Sequence, residues 1–454
     1  MATSVGNERS IRLELDLGSR SARLRELYWT GTHRQAVAHK QIVGCGEKTL
    51  VGHARDFAAL LEASEPVIQP HELIAGNALA IPEERKSIDL GEYDSHYPPG
   101  HARLLRQGLT GIRDEARDRL KEESDPARRD FLRAVEISYQ AACEYVEKHA
   151  RLASEMAGAE AKPQRKGELE RIALVCREIA MGAPTSFHAA LQLVQFTRVF
   201  GGSGCMGRFD QWMYPFYRRD AEEGRLTRDE AQELLECLFI KLNHFADVNE
   251  VSPRIYVTND SLRNISLAGQ TPAGEDACNE VSYMCLEASA KLMLPEPKLN
   301  VRFFPGSPPG LLRECCRVLA KGANVVAIFN DEVAIPALRR LGIPLEVARD
   351  YCNDGCSELI IGGMSTIRFK VHDSLPVLNE VVLQAEGRPC ATFDDLMGDF
   401  KSRLVRFMPE DHGEVRPITF PYFAASIDDC LEVASPAAAR YAINGSVLAQ
   451  VANT

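Results

Sequence analysis

The sequence of 454 residues lacks several features that define whole classes of protein. No apolar run approaches the roughly 20 residues that a membrane-spanning helix needs, and residues 1–21 are polar where a signal peptide has its apolar core. Basic residues are too few for a nucleic-acid-binding face, because 53 Lys and Arg stand against 64 Asp and Glu and give a net charge of -11. The sequence therefore predicts a cytoplasmic protein with neither a membrane nor a nucleic acid as its partner.

The sequence also lacks the patterns that mark disulfide and metal sites. Its 13 cysteines are an odd number without regular spacing, which argues against a disulfide framework and favours a reducing compartment. Cys352 and Cys356 suit a redox pair or half of a metal site, but a metal site needs three or four ligands and no second cluster has matching spacing. There is no three-cysteine iron–sulfur motif, no GxxxxGK phosphate loop and no Gly-x-Ser-x-Gly elbow. We therefore expect no bound metal.

Residues 202–207 fit the GxGxxG pattern of a dinucleotide site. Such a site requires a strand before its first glycine and a helix that opens from its last one. Residues 187–200 indicate a helix in the place of that strand. The sequence therefore argues against a dinucleotide site at this position.

Strand and helix patterns alternate along the chain, which predicts an α/β fold. Two helix starts are explicit: Asp125 is followed by a proline in the first turn, and Thr227 with Glu230 forms a capping box. Residues 1–70 are expected to form helices that lie over the main domain. Strands are predicted over residues 71–77, 298–304 and 324–329, and helices over residues 311–319, 375–383 and 393–407.

One short loop, residues 353–358, carries the groups that best suit catalysis. It reads Asn-Asp-Gly-Cys-Ser-Glu. On extended backbone, residues two apart project from the same side, so Cys356 and Glu358 are expected to share one surface, while Gly355 permits a tight turn before them. A sulfur for bond breaking and a carboxyl for proton transfer then lie together. A Cys-x-Glu pattern alone is a weak signal, because most free cysteines are small buried hydrophobes.

Other stretches of the chain strengthen the interpretation of this loop. Residues 187–192 read Phe-His-Ala-Ala-Leu-Gln, residues 207–211 read Gly-Arg-Phe-Asp-Gln, and residues 295–302 read Pro-Glu-Pro-Lys-Leu-Asn-Val-Arg. In this order, and with the loop at 353–358, they resemble the glycyl radical enzymes, the superfamily of pyruvate formate-lyase and of the glycerol and choline lyases. The matching pieces extend over residues 70–445, so the resemblance concerns nearly the whole chain.

The resemblance implies both a fold and a mechanism. The implied fold is part of a ten-stranded α/β barrel, built from two five-stranded half-barrels and wrapped by helices. All of residues 1–454 would form one incomplete domain, with a helical region at 1–70 and the barrel core at about 71–454. Cys356 would be the thiyl radical that takes a hydrogen atom from the substrate, and Glu358 would be the general base or acid. A carboxyl in a closed apolar pocket has a raised pKa, which suits proton transfer near neutral pH.

The loop also distinguishes branches of the superfamily. Pyruvate formate-lyase itself has two adjacent cysteines here, whereas this chain has Gly355, Cys356 and Ser357. The resemblance therefore implies a lyase or dehydratase that acts on a small hydroxylated or aminated substrate, and formate acetyltransferase-type transfer to coenzyme A is the alternative. The adjacent pair Cys315 and Cys316 lies in a predicted helix and is interpreted as core packing.

Three further residues are candidates for substrate binding. Ser203 lies where the dehydratases of this superfamily place a substrate-contacting serine, although a loop serine without a role is an equal alternative. Gly202 stands where glycerol-type dehydratases have a histidine, which argues against glycerol or propanediol. His372 and Asp373 resemble a His-Asp pair of those enzymes. In this sequence the pair lies about three residues farther from the cysteine. Otherwise Asp373 is an acidic residue at a helix N-terminus.

The residue that defines the superfamily, a glycine in an Arg-Val-x-Gly-Tyr-like loop, is not found, because residues 440–445 have the wrong arrangement. The resemblance implies that the chain corresponds to the first half to three-fifths of a superfamily member. It would then be a fragment, one piece of a split enzyme, or a non-catalytic remnant or accessory subunit. The resemblance implies a glycyl radical on a missing segment or a partner chain, a radical SAM activating enzyme that installs it, anaerobic metabolism and a homodimer.

Overall fold

The computed structural model describes residues 18–29, 42–77, 79, 88–92, 99–201, 205–243, 247–248, 258–259, 264–322, 325–354, 358–372, 375–385, 392–407, 418–436 and 441–448. These residues form an α/β structure that is rich in helix, so the predicted class is confirmed. The helices are α1 (Ser19–Trp29), α2 (Leu50–Ala63), α3 (His101–Glu122), α4 (Pro126–Ala159), α5 (Pro163–Met181), α6 (Phe187–Gly201), α7 (Phe209–Glu222), α8 (Arg228–Leu242), α9 (Glu280–Leu292), α10 (Pro309–Ala320), α11 (Asp331–Arg340), α12 (Leu345–Arg349), α13 (Leu375–Ala385), α14 (Phe393–Phe407), α15 (Pro421–Ala424) and α16 (Asp428–Glu432). The strands are β1 (Asp247–Val248), β2 (Thr258–Asn259), β3 (Asn264–Ala268), β4 (Lys298–Phe303), β5 (Val326–Asn330), β6 (Tyr351–Asp354), β7 (Glu358–Ile361), β8 (Ser365–His372) and β9 (Tyr441–Leu448).

Local signals in the sequence account for the two helix starts that were predicted. The Asp125 side chain accepts a hydrogen bond of 2.9 Å from the backbone N–H of Arg128, and α4 runs on from there for 34 residues. At α8, Thr227 and Glu230 each bind the backbone N–H of the other, at 3.2 and 2.9 Å. These bonds satisfy N–H groups that have no partner inside a helix. The long helix α4 packs against α2, α3 and α5 and forms the centre of a helical layer.

A three-stranded parallel sheet, in the order β3-β4-β5, lies next to these helices. Its side chains alternate in character. One face carries apolar residues that belong to the main hydrophobic core, among them Ile265 and Val301. The other face carries Ser266, Asn300 and Arg302, all of them buried. Parallel strands buried on both faces are usually apolar throughout, so the polar face of this sheet, defined by these three residues, needs a reason of its own.

A β-hairpin follows the parallel sheet. Strand β6 pairs antiparallel with β7, with Asp354 opposite Glu358 and Cys352 opposite Ile360. Strands β8 and β9 form a separate parallel pair. Two helices, α1 and α2, lie within the first 70 residues. Among the described residues, no helix has both the length and the apolar character to cross a membrane.

Two predictions about elements are wrong. Residues 71–77 form no strand, because the side-chain amide of Gln192 binds both the N–H and the carbonyl of Ala75, at 2.8 and 2.9 Å, where a strand would have used a neighbouring strand. In α10, Cys315 is buried but Cys316 is exposed. Adjacent residues of a helix point about 100° apart, so only Cys315 contributes to core packing.

Candidate functional site

The predicted catalytic loop lies at the turn of the β6–β7 hairpin. Gly355, Cys356 and Ser357 lie outside the described residues, between the last residue of β6 and the first residue of β7. Glu358 begins β7 and is partly buried. Glu358 lies on a strand, as the prediction of extended backbone requires. A common surface for Cys356 and Glu358 stays a prediction.

The predicted substrate-binding residues lie largely outside the part of the chain that the structure describes. Ser203 and Asp373 lie outside the described residues, and His372 is the last residue of β8, where only its backbone is described. Their roles therefore stay predictions. The structure does bring Asp354, which was given no role, directly opposite Glu358 across the hairpin. Residues opposite each other on antiparallel strands project to the same side, so a second carboxyl stands beside the predicted proton-transfer group.

The hairpin is held on the polar face of the parallel sheet. The backbone N–H of Asn353 donates to Ser266 Oγ at 2.9 Å. Next to it, the guanidinium of Arg302 binds both carboxylate oxygens of Asp331 at 2.9 Å and donates to the carbonyl oxygen of Tyr351 at 2.7 Å. Such two-pronged, charge-assisted hydrogen bonds are the strong ones. These contacts hold β6, the strand that leads to the catalytic turn, on the polar face.

Tyr351 completes this buried cluster. Its hydroxyl donates to Asp331 Oδ1 at 2.8 Å, and the guanidinium carbon of Arg302 lies 3.8 Å from the centre of its ring. Both residues and Asp331 are fully buried. Burial raises the pKa of the Tyr351 hydroxyl, so this group remains a hydrogen-bond donor over the physiological pH range.

The Gly-Arg-Phe-Asp-Gln stretch, residues 207–211, supports the same hairpin at the start of β6, where Arg302 also binds. The Arg208 guanidinium donates to the carbonyl oxygens of Ala268 at 2.7 Å and Gln270 at 2.9 Å. It also donates to the carbonyl oxygen of Arg349, just before β6, at 3.2 Å. Asp210 accepts from the N–H of Ala268 at 2.7 Å. This stretch therefore builds the frame of the site, and none of these contacts requires a direct part in the reaction.

Two thiols meet at the hairpin, one on Cys352 within β6 and one on Cys205, and no pattern in the sequence predicted this pair. Cys205 and Cys352 form a small buried cluster with Ile360, and Cys205 Sγ accepts from the backbone N–H of Gly207 at 3.3 Å. Burial, and then the hydrogen bond to Cys352, raise the pKa of the Cys205 thiol well above its ordinary value. A buried thiol that stays protonated is unreactive toward alkylating reagents. Among the described residues no group of three or more His, Cys, Asp or Glu side chains could hold a metal ion.

A buried histidine at the start of α3 is a further feature that the sequence did not predict. The ring of His101 stacks on that of Trp212, with the ring centres 5.2 Å apart and the planes 9° from parallel. Neither ring nitrogen has a hydrogen-bond partner. Burial, and then the charge of Arg198, lower the pKa of His101 from 6.5 to about 3. The folded protein therefore holds this imidazole neutral, and no local motif would have revealed its burial.

We expect His101→Phe to reduce the loss of stability in acid. The unfolded imidazole has a pKa of about 6.5 and the folded one about 3, so the unfolded state takes up a proton first and stability falls as the pH falls below about 6.5. This one group then costs about 2 kcal/mol by about pH 5. Phenylalanine keeps the ring stack and loses no hydrogen bond. Free energies of unfolding at about pH 7.5 and pH 5 test this, and an equal loss in both proteins would contradict it.

Comparison with known proteins agrees with the family that the motifs suggest. The pyruvate formate lyase-like family matches residues 91–385. The (2S)-3-sulfopropanediol dehydratase of Klebsiella oxytoca is 31% identical over 380 residues, which cover 74% of this chain and 45% of that protein. The isethionate sulfite-lyase of Oleidesulfovibrio alaskensis is 32% identical over 274 residues, which cover 57% of this chain and 33% of that protein. The chain thus spans less than half the length of these curated relatives.

A solved structure shares the fold. The glycerol-bound form of the B12-independent glycerol dehydratase from Clostridium butyricum superposes with a TM-score of 0.75 at 24% sequence identity. The superposition covers 96% of this chain and 70% of that chain. At this level of identity the likeness concerns the fold alone.

Proposed function

The chain belongs to the pyruvate formate lyase-like family of glycyl radical enzymes, and on that basis we propose that it supplies the cysteine-bearing portion of a lyase or dehydratase for a small hydroxylated or aminated substrate. The hairpin supports the proposal, because Glu358 begins β7 directly after the residues that include Cys356. Arg302 and Arg208 both bind carbonyl oxygens at the start of β6 and so hold the base of the hairpin. A rigid support of this kind suits a group that must meet one hydrogen atom of a substrate.

The proposed reaction uses two groups of this chain. A sulfur-centred radical on Cys356 takes a hydrogen atom from a substrate carbon and becomes a thiol, which leaves the radical on that carbon. Glu358 takes the proton of the hydroxyl on the same carbon, and the leaving group departs from the neighbouring carbon. Asp354, opposite Glu358, would deliver a proton to that leaving group. The product radical then takes the hydrogen atom back from the Cys356 thiol, which restores the sulfur radical. Positioned carboxyl groups typically contribute about 100- to 10,000-fold to such steps.

The glycine at the end of the chain does not fit the role of the radical residue. Gly445 lies within β9 and pairs with Phe369 of the neighbouring parallel strand, whereas the glycine of the superfamily lies in a loop. We therefore place the glycyl radical on a polypeptide segment outside this sequence, either further along a longer protein or on a partner chain, with a radical SAM activating enzyme to install it. No step above depends on where that segment lies.

The same proposal includes finer features that follow from the superfamily. The described strands would form part of a ten-stranded barrel with its core at about residues 71–454 and a helical region at 1–70. The assembled enzyme would be a cytoplasmic homodimer in an anaerobic metabolism. Acyl transfer to coenzyme A is less well supported, because Gly355 precedes Cys356 where a second cysteine would be needed.

Purification of the protein from its source cells without oxygen tests the proposal. We expect either an intact mass above the 50.3 kDa of this sequence or a co-purifying chain that bears the radical glycine. After treatment with the activating enzyme and S-adenosylmethionine, the preparation should show a glycyl radical signal and convert at least one of isethionate, (2S)-3-sulfopropanediol and glycerol. A 50.3 kDa protein without a partner, a radical or turnover would point instead to a non-catalytic remnant.

A further inference from the structure

Two buried side-chain amides on the polar face of the sheet have hydrogen-bonding capacity that is not used. Asn300 in β4 is 2% exposed, and its Nδ2 has no hydrogen-bond partner. Asn353 in β6 is 0% exposed, and neither its Nδ2 nor its Oδ1 has a partner. Buried polar groups of native proteins are almost always hydrogen-bonded. These three atoms therefore have hydrogen-bonding capacity that a polar ligand could use.

The two residues that carry these amides both lie beside Ser266. The register of the parallel sheet places Asn300 beside Ser266 on the next strand, and neighbouring strands lie about 4.8 Å apart. Asn353 lies against the same serine, since its backbone N–H donates to Ser266 Oγ at 2.9 Å. Only the main chain of Asn353 is used to hold the hairpin. Its amide is left uncommitted, three residues before Cys356.

Arg302, which also belongs to the polar face, differs from the two amides. Arg302, two residues after Asn300 on β4, is saturated by Asp331 and by the carbonyl oxygens of Tyr351 and Arg349. The contacts of Arg302 therefore anchor the hairpin, whereas Asn300 and Asn353 have unused donors and an unused acceptor. Anchoring alone would not require these two amides, because an unpaired buried amide is destabilising.

We infer that Asn300 and Asn353 form a hydrogen-bonding subsite for a hydroxyl group of the substrate. Each Nδ2 is a donor and Oδ1 of Asn353 is an acceptor, and a hydroxyl can both accept and donate. Neither amide carries charge, so the subsite suits a neutral polar group. The inference rests on the proposed function and names a second polar group of the substrate, apart from the one at Glu358, because Asn353 projects to the other face of the hairpin from Asp354 and Glu358. A site that is built to bind a hydroxyl strongly rejects an analogue without it.

Asn353→Leu separates this role from a structural one. Leucine has nearly the same shape but no polar atoms, so we expect the melting temperature to stay equal or to rise. Binding of whichever of glycerol, isethionate and (2S)-3-sulfopropanediol the purified protein takes up should weaken at least about 10-fold by calorimetry, the effect of roughly 1.4 kcal/mol. Asn300→Leu should act in the same direction with a smaller loss, since only one of its atoms is unused.

Asn243→Leu is the matched control. Asn243 is also buried, but its Nδ2 donates to the carbonyl oxygens of Phe239 and Glu296 at 2.9 and 2.7 Å, and its Oδ1 accepts from the N–H of Glu296 at 3.2 Å. The same substitution there should lower the melting temperature. A comparable drop in Asn353→Leu, or unchanged binding in that variant, would overturn the subsite. If the wild-type protein binds none of the three compounds, the proposed function fails, and the melting temperatures still judge the amide.

Discussion

Replacement of Cys356 by alanine should reduce turnover of the assembled enzyme by at least about 10,000-fold, the scale on which removal of a covalent catalytic group acts. Alanine has no sulfur to carry the radical, and the two cysteines at the hairpin, Cys205 and Cys352, are buried. The melting temperature should not change, because the hairpin is held by backbone contacts on either side of the turn. Product formation with each of the three candidate substrates is the measurement.

Ser357→Ala is the matched control for this experiment. It removes one heavy atom from the next residue, which has no role in the proposed reaction, and it should leave turnover within a few-fold of wild type. Glu358→Gln should fall between the two, with a loss of about 100- to 10,000-fold for a general acid–base group. Substantial activity in Cys356→Ala would refute the assignment of the thiyl radical, whatever the other two variants do.

Replacement of Arg302 by alanine should lower the free energy of unfolding by about 3–5 kcal/mol, the usual effect of breaking a buried ion pair. The change leaves the Asp331 carboxylate without its cation in a fully buried position. It also removes the donors to the carbonyl oxygens of Tyr351 and Arg349. Denaturant unfolding followed by circular dichroism measures the loss.

Two further variants show whether the ion pair is the cause. Arg317→Ala removes an exposed arginine that pairs with Glu314 on α10, and an exposed pair of this kind contributes about 0.5 kcal/mol or less. The double variant Arg302→Met with Asp331→Leu should regain part of the lost stability, because it leaves no unpaired buried charge. A loss below about 1 kcal/mol in Arg302→Ala would contradict the view that this pair anchors the hairpin.

Elements that depend on nearby residues could be predicted from the sequence. The starts of α4 and α8 follow from capping side chains within three residues of the backbone groups that they bind. Strand β4 and helix α14 follow from their own patterns. Residues 71–77 could not be predicted in this way, since their backbone is bound by Gln192, more than 100 residues later. Whether a segment pairs with a strand or with a side chain is decided by such distant contacts.

The candidate site divides along the same line. Cys356 and Glu358 were identified through their resemblance to a family, and of the two only Glu358 lies within the described residues, as the first residue of β7. Asp354 belongs to the same stretch of sequence, but its position opposite Glu358 depends on the register of the hairpin. Cys205 and His101 gave no signal at all, because their burial arises from packing against residues far away in the chain.

The arginine contacts around the hairpin have a consequence for how this segment tolerates change. Arg208 and Arg302 donate hydrogen bonds to backbone carbonyl oxygens, those of Gln270 and Arg349 among them, and every amino acid has such an oxygen. Replacement of the Gln270 or Arg349 side chain therefore leaves these hydrogen bonds intact. Evolution can therefore change these two side chains without loss of the hydrogen bonds that hold the start of β6.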